Sequence, residues 1–432
     1  MRNSRRDFLK MAGIACLRCP YLCVGSAALT SCQSQKSAIE EDPFAGLISM
    51  TDDIKPITRE DYENRHNRAR ALMKEEGIDA LYLSGSRNLY YFSGINMGSG
   101  DRLFAMLLPR DGAPAFVCAN FEVDRAKERV KYGEEDIRPW HEHEDPFQLF
   151  AETMKEKGIE KGVIGVDEKL PFWYYKKLEQ AAPQAKYRPA DPVTHELRAI
   201  KSEKEIALTR RAVEVTMEAY RATFRTIHQG MTKAELRQNF VRAFSALGAR
   251  GGAGASFGSA SGNPHGSKVE PLLEEGTVVL VDGGCRLDNY PSDISRTITC
   301  GKAPEKVVQV FEIVRQAQLA GIRAIRPGVP CEEADRAARQ VVDEAGYGPA
   351  YTYFSHRLGH GLGLDGHDGP YHLVKGNKTP MRVGMMFTVE PGIYIPGEFG
   401  VRIEDDIVVT EDGCEVFAKE FMSLSIDNPF GE

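Results

Sequence analysis

The chain has 432 residues, 42% of them hydrophobic and 27% charged, a balance that suits a globular protein with room for two cores. A formal charge of −7 leaves no basic footprint for nucleic acid, and no RRM, zinc-finger or helix-turn-helix pattern is present. Beyond the first thirty-odd residues no apolar run reaches the ~18 residues that a membrane span requires.

The N-terminus reads as an address. Arg5 and Arg6, followed by Phe8, Leu9 and Lys10, resemble a twin-arginine export signal, and Leu29-Thr30-Ser31-Cys32 resembles a lipoprotein box with Cys32 as the lipidated residue. Residues 1–32 are therefore expected to be a signal and 33–54 a polar linker. The folded body would be exported and held by lipid on a bacterial membrane, outside the cytoplasm. Four of the nine cysteines (Cys16, Cys19, Cys23 and Cys32) fall in this segment. The other five are scattered and read as small buried hydrophobes.

Residues 55–197 read as a smaller α/β domain. A helix is predicted over 61–76 and a strand over 78–83. RNLYYFSGIN is predicted as a turn leading into another strand, with further strands near 103–108, 115–118 and 163–166 and helices between them. The remainder, 198–432, begins with one long amphipathic helix that stops at Gly230, and Thr232 and Glu235 form a capping box for the next helix. Helices follow from Pro304 to before Arg326 and over about 332–346, with strand-like runs at 277–281, 295–299, 385–389 and 401–409. The stretch GARGGAGASFGSASGNPHG has the composition of a linker or phosphate loop. It lacks the GKS/T ending and the strand-GxGxxG-helix setting of a nucleotide loop. The fold class is α+β.

Five residues form a chemical set. Asp282 is read as ending the buried apolar run VVLVD, and Asp293 follows eleven residues later in PSDISRT. His360 lies in GHGLGLDGH, Glu390 in FTVEPGIY and Glu404 in VRIEDD. A carboxylate at the end of an apolar run needs a metal or a paired charge if it is buried. Four carboxylates and one imidazole suffice for two divalent ions, and an oxygen-rich site with one nitrogen favours Mn, Co, Fe or Zn.

VDGGCRLDNYPSDISRT, SHRLGHGLGLDGHDGP, VEPGIY and GVRIEDD together resemble the pita-bread (M24) metallopeptidases, the family of prolidase, aminopeptidase P, methionine aminopeptidase and creatinase. EGIDALYLSGSRNLYYFSGIN and LRAIKSEKEI resemble the two-domain members, so the likeness covers nearly everything after residue 55. The resemblance implies a C-terminal pita-bread catalytic domain behind a smaller creatinase-type N-terminal domain. It makes Asp282, Asp293, His360, Glu390 and Glu404 ligands of two divalent ions, manganese first, with cobalt, zinc or iron as alternatives. His265, His356 and His367 fall on the family's substrate-facing histidines, Glu390 on its proton carrier, and Arg402 on a strand position from which it would orient carboxylates. The implied reaction is hydrolysis of the Xaa-Pro bond of dipeptides or short peptides by a water held between two metals. The alternatives are a dinuclear-metal hydrolase of another small C–N substrate, or an inactive peptide-binding member. The implied partners are short proline-containing peptides and a second copy in a homodimer, with no nucleic acid, and with membrane contact only through Cys32. Asp368 departs from the Glu that many members carry after the third histidine, and Arg357 and Asp365-Gly366 have no reading from sequence.

Overall fold

The computed structural model describes residues 42–430, apart from 98–101, 269–270, 350, 418 and 420–424. The export and lipoprotein readings at 1–32 lie outside the described residues. Among those described, no helix is long and apolar enough to cross a membrane.

The N-terminal lobe is one mixed sheet with helices on both faces. In chain order its elements are α1 (Arg59–Glu76), β1 (Ala80–Ser84), α2 (Arg87–Ser93), β2 (Ala105–Pro109), β3 (Ala115–Ala119), α3 (Val123–Arg129), β4 (Ile137–Trp140), α4 (Pro146–Glu156), β5 (Val163–Val166), α5 (Phe172–Ala181) and β6 (Lys186–Pro189). The strands run in the order β4-β3-β2-β1-β5-β6. β1 is wholly buried because both its faces are used. Leu81 and Leu83 enter a core with α1, α2 and α3, whereas Ala80 and Tyr82 enter another with α4 and α5.

RNLYYFS is a helix, not the predicted turn into a strand. Its aromatic residues favour strands as isolated residues, but Ser86 Oγ accepts the Leu89 N–H at 3.3 Å and Gly94 closes the far end at φ 74°. Leu89, Tyr90, Tyr91 and Phe92 then all find apolar partners in one core. Tertiary burial overrides propensity here.

The single long helix predicted from 198 is two helices, α6 (Asp191–Ala199) and α7 (Glu203–Phe224). Ile200 is extended, the Lys201 N–H bonds the Gly384 carbonyl at 3.0 Å, and Ser202 and Glu205 form a capping box that starts α7 afresh. α7 ends six residues short of Gly230. At α8 (Lys233–Ala246) Thr232 Oγ1 accepts the Glu235 N–H at 3.2 Å.

The glycine-rich stretch contains a strand, β7 (Gly251–Phe257), paired antiparallel with β8 (Val278–Leu287). β8 runs past Asp282, so that residue does not end its strand. Apolar residues stop there because the sheet face opens beside the site, while β8 continues through Gly283 and Gly284. A Cβ on Gly283 would overlap the Gly252 carbonyl and one on Gly284 the Ser292 carbonyl, which explains the paired glycines of β8. β9 (Tyr290–Pro291) turns back to β10 (Ile294–Thr299), which pairs β8 on its other edge. Then come α9 (Glu305–Ala324), α10 (Cys331–Val342), β11 (Met386–Val389), β12 (Gly392–Ile395), β13 (Phe399–Arg402), β14 (Asp405–Val409) and β15 (Cys414–Val416). The expected strand over 401–409 is thus two strands, with Glu404 between them. α9 and α10 pack on β11–β14 in a second core.

Candidate metal centre

Register brings the acids together. Ser295 on β10 stands opposite Asp282 on β8, and Asp293 lies two residues before Ser295, so all three share one face. Ser295 also bridges to Glu404, whose N–H reaches the Ser295 carbonyl at 3.1 Å. β11 pairs β14 with Val389 opposite Asp405, which sets Glu390 and Glu404 at the same end of that pair. The His360 segment lies along β11, with the Thr388 N–H on the His360 carbonyl at 3.0 Å and the Glu390 N–H on the Leu358 carbonyl at 2.7 Å. Gly359 permits this approach, since a Cβ there would overlap the Thr388 carbonyl.

Ligand atoms of Asp293, His360 and Glu404 fall within 4.8 Å of one another. His360 Nε2 is 3.7 Å from Asp293 Oδ2 and 3.6 Å from Glu390 Oε1. Its other nitrogen, Nδ1, is 3.1 Å from the Gly361 carbonyl and donates there, leaving the Nε2 lone pair facing the carboxylates. Burial pushes His360 down to about 3, so the ring is neutral, as a ligand must be. Burial, then the charge of Asp282, raises Asp293 to about 7. Glu390 is raised to about 8 by burial, against the pull of Arg402, and Glu404 is driven well above its usual range by burial and by Glu390. These carboxylates repel one another with too little positive charge nearby. Divalent cations would relieve that, and the donor set of four carboxylates and one neutral imidazole fits them.

Arg402 is the cation that touches the acids. It is buried, and its Nη2 is 2.7 Å from Asp282 Oδ2, its Nε 2.8 Å from Ser295 Oγ and its Nη1 3.1 Å from Tyr394 OH. Ser295 Oγ in turn donates to Glu404 Oε2 at 2.6 Å. One guanidinium therefore holds two of the acids, Asp282 directly and Glu404 through a hydroxyl. Tyr394, buried behind the cavity, also meets His356 Nε2 at 2.8 Å. His356 is kept neutral, down to about 3, mainly by burial. His367 stacks on His360 with ring centroids 3.9 Å apart, and burial and Arg357 lower its pKa. His265 is exposed at the rim and makes no side-chain hydrogen bond among the described residues.

All nine of these positions (the four acids and one imidazole of the set, Arg402, and His265, His356 and His367) border one cavity of about 530 Å³. Sequence reasoning passed over Ser295 and Thr388. Thr388 Oγ1 accepts the His360 N–H at 3.1 Å and donates to Glu390 Oε1 at 3.3 Å. The alternation Asp293, Ser295, Thr297 carried a signal, because every second residue of β10 faces the same side. The three departures from the family pattern also find places. Arg357 lines the cavity beside His367, and Asp365 and Asp368 pair with the buried Arg198 of α6.

An oxygen-rich pocket with one imidazole, carried on paired sheets behind a mixed-sheet lobe, is the build of a two-domain metallohydrolase. The creatinase/prolidase N-terminal domain matches residues 65–200 and metallopeptidase family M24 matches residues 207–411. An uncharacterized peptidase of Staphylococcus aureus (strain USA300) is 34% identical over 348 residues, 80% of this chain and 95% of its own. A prolidase from Thermococcus sibiricus superposes with a TM-score of 0.75 at 31% identity, covering 83% of this chain and 96% of that one. An Xaa-Pro dipeptidase from Bacillus anthracis does so with a TM-score of 0.73 at 31% identity, covering 83% and 98%. The chain belongs to metallopeptidase family M24.

Proposed function

We propose that this peptidase hydrolyses the Xaa-Pro bond of short peptides with two divalent ions, manganese first, held by Asp282, Asp293, His360, Glu390 and Glu404. The carrying observation is the complete five-residue donor set around one cavity, in a chain similar to a prolidase and an Xaa-Pro dipeptidase. Bound ions supply a water that is nucleophilic at neutral pH and polarise the scissile carbonyl. The chain's own groups do the rest. His367, whose Nδ1 accepts from Arg357, offers its other N–H to the carbonyl oxygen as it gains charge. Glu390, which borders the same cavity, carries a proton to the departing proline nitrogen. Arg402 keeps Asp282 and Glu404 aimed inward.

The test is hydrolysis of an Xaa-Pro dipeptide and an Xaa-Pro tripeptide by metal-stripped enzyme, with and without added Mn or Co, beside Asp282→Ala. Metal-dependent release of the N-terminal residue, lost in the variant, is expected. No turnover with both metals bound would overturn the prolyl assignment and leave another C–N bond as the target.

A further inference from the structure

Among the described residues, a second group of His, Asp and Glu brings its ligand atoms within 4.8 Å of one another: Glu168, Asp191 and His195. None of the three borders the cavity described above. Asp191 opens α6 and His195 follows four residues later, so both side chains leave that helix on one face. Glu168 comes from the turn after β5. Asp167 fixes that turn, accepting from Ser86 Oγ at 2.5 Å, Asn88 Nδ2 at 3.0 Å and the Lys169 N–H at 3.1 Å.

Hydrogen bonding leaves the group incomplete. His195 Nε2 lies against Glu168 Oε2, but neither that nitrogen nor Asp191 Oδ1 completes a hydrogen bond among the described residues, and both atoms are shielded from solvent. Shielded polar atoms are costly unless something pairs with them. The neighbouring cations do not, because Lys169 and Arg198 both turn to Asp365. A proton on His195 would offset one carboxylate and leave the second without a partner. Two carboxylates converging on an imidazole nitrogen are instead a donor set for one divalent transition ion. The side chains of His195 and Glu168 keep 17% and 25% of their exposure, so such an ion can enter from solvent and retain water.

We propose that Glu168, Asp191 and His195 bind one divalent ion of the zinc type, separate from the active centre, and that this ion braces the loop of His367. The brace follows from what the two segments carry. Arg198, three residues past His195 on α6, pairs with Asp365 and Asp368, and Lys169, next to Glu168, pairs with Asp365 at 2.9 Å. An ion bonded to all three ligands joins the two segments that send these cations to the acids on either side of His367. The proposal does not depend on which bond the active centre cuts.

The experiment counts zinc. The purified full chain, stripped with chelator, is dialysed against micromolar Zn(II), beside His195→Leu, Glu168→Gln and the active-centre variant Asp293→Ala/Glu404→Ala. Each of the first two variants is expected to hold one ion fewer than the wild type. The active-centre variant should keep one ion, which is lost when His195→Leu is added. In the active-centre variant zinc should also slow amide hydrogen exchange over 361–369, and with His195→Leu added it should not. Equal counts in the wild type and both single variants, or a folded active-centre variant without zinc, would overturn the site. A lower count with no zinc-dependent change in exchange would overturn the brace. A wild type that holds a single ion, lost in His195→Leu, would bear out this site while the two-ion reading of the active centre falls. Should His195→Leu fail to fold, Glu168→Gln, a change in a turn, carries the same comparison.

Discussion

His66 is fully buried, and its two ring nitrogens are treated unequally. Nε2 donates to the Phe92 carbonyl at 2.7 Å, whereas Nδ1 has no partner among the described residues. A second proton would add an unsolvated charge, and burial accordingly pushes the group down to about 4. The unfolded chain takes up that proton near its ordinary pKa of about 6.5, so the contribution to stability is whole above that pH. It is lost as the pH falls toward 4, at a rate of up to about 1.4 kcal/mol per pH unit. His66→Gln keeps an N–H donor without the titration. Urea midpoints measured from pH 7 to pH 4.5 should fall less steeply in this variant than in the wild type, and parallel profiles would dismiss the assignment. At the site, the residue-scale lesson is Arg402. It is buried and bonded to Asp282, a partner 120 residues away along the chain.

The loop that carries His367 is held from α6. Arg198 Nη2 pairs with Asp365 Oδ2 at 2.8 Å and with Asp368, while its Nη1 reaches Asn88 Oδ1 at 2.8 Å. Lys169 adds a second cation to Asp365 at 2.9 Å. His367 thus sits between two acids that elements of the N-terminal lobe and the joint hold in place. Arg198 and Asp368 are both nearly fully buried, so removing the arginine leaves the Asp368 carboxylate with only Lys201, 3.8 Å away. Arg198→Met should cost about 3–5 kcal/mol in urea unfolding, and Arg198→Met with Asp368→Asn should recover much of that loss. A single-variant cost below ~1 kcal/mol would place the pair among weak surface bridges instead.

The two lobes share a core. Pro43–Glu432 forms one unit, and a single apolar cluster runs from Tyr62 and Leu81 to Val281 and Tyr290. At its centre Arg65 of α1 meets Glu205 of α7 at 2.9 Å and Tyr290 of β9 at 2.8 Å. That buried knot ties the N-terminal helix to the sheet that bears Asp282 and Asp293, so the first lobe is part of the scaffold of the site. We further propose that the whole enzyme works outside the cytoplasm, exported by its twin-arginine segment and anchored at Cys32. Expressed with its own N-terminus in a bacterium that processes lipoproteins, the wild type should partition with membranes and take up labelled fatty acid. Cys32→Ala should do neither. Equal partitioning of the two would end the lipid-anchor reading.

The sequence by itself determined the family, the candidate set of five residues that meets at the cavity and the broad order of elements, because these rest on local chemistry. Asp, His and Glu in VDGG, GHG, VEPG and RIED are written into short segments, and apolar runs such as ALYL are legible as buried strands without a partner in view. Tertiary structure decided the rest. RNLYYFS became a helix because caps and burial outweighed the strand preference of its aromatics, and the joint at Ile200–Ser202 broke because Lys201 found the Gly384 carbonyl. Asp282 sits mid-strand because the face of a sheet, unlike the end of an apolar run, is set by what packs or opens opposite. The partners of Arg402, Arg357 and Asp368 are 120, 10 and 170 residues away along the chain. Which charge is paired with which depends on distance through space, and no local pattern records it.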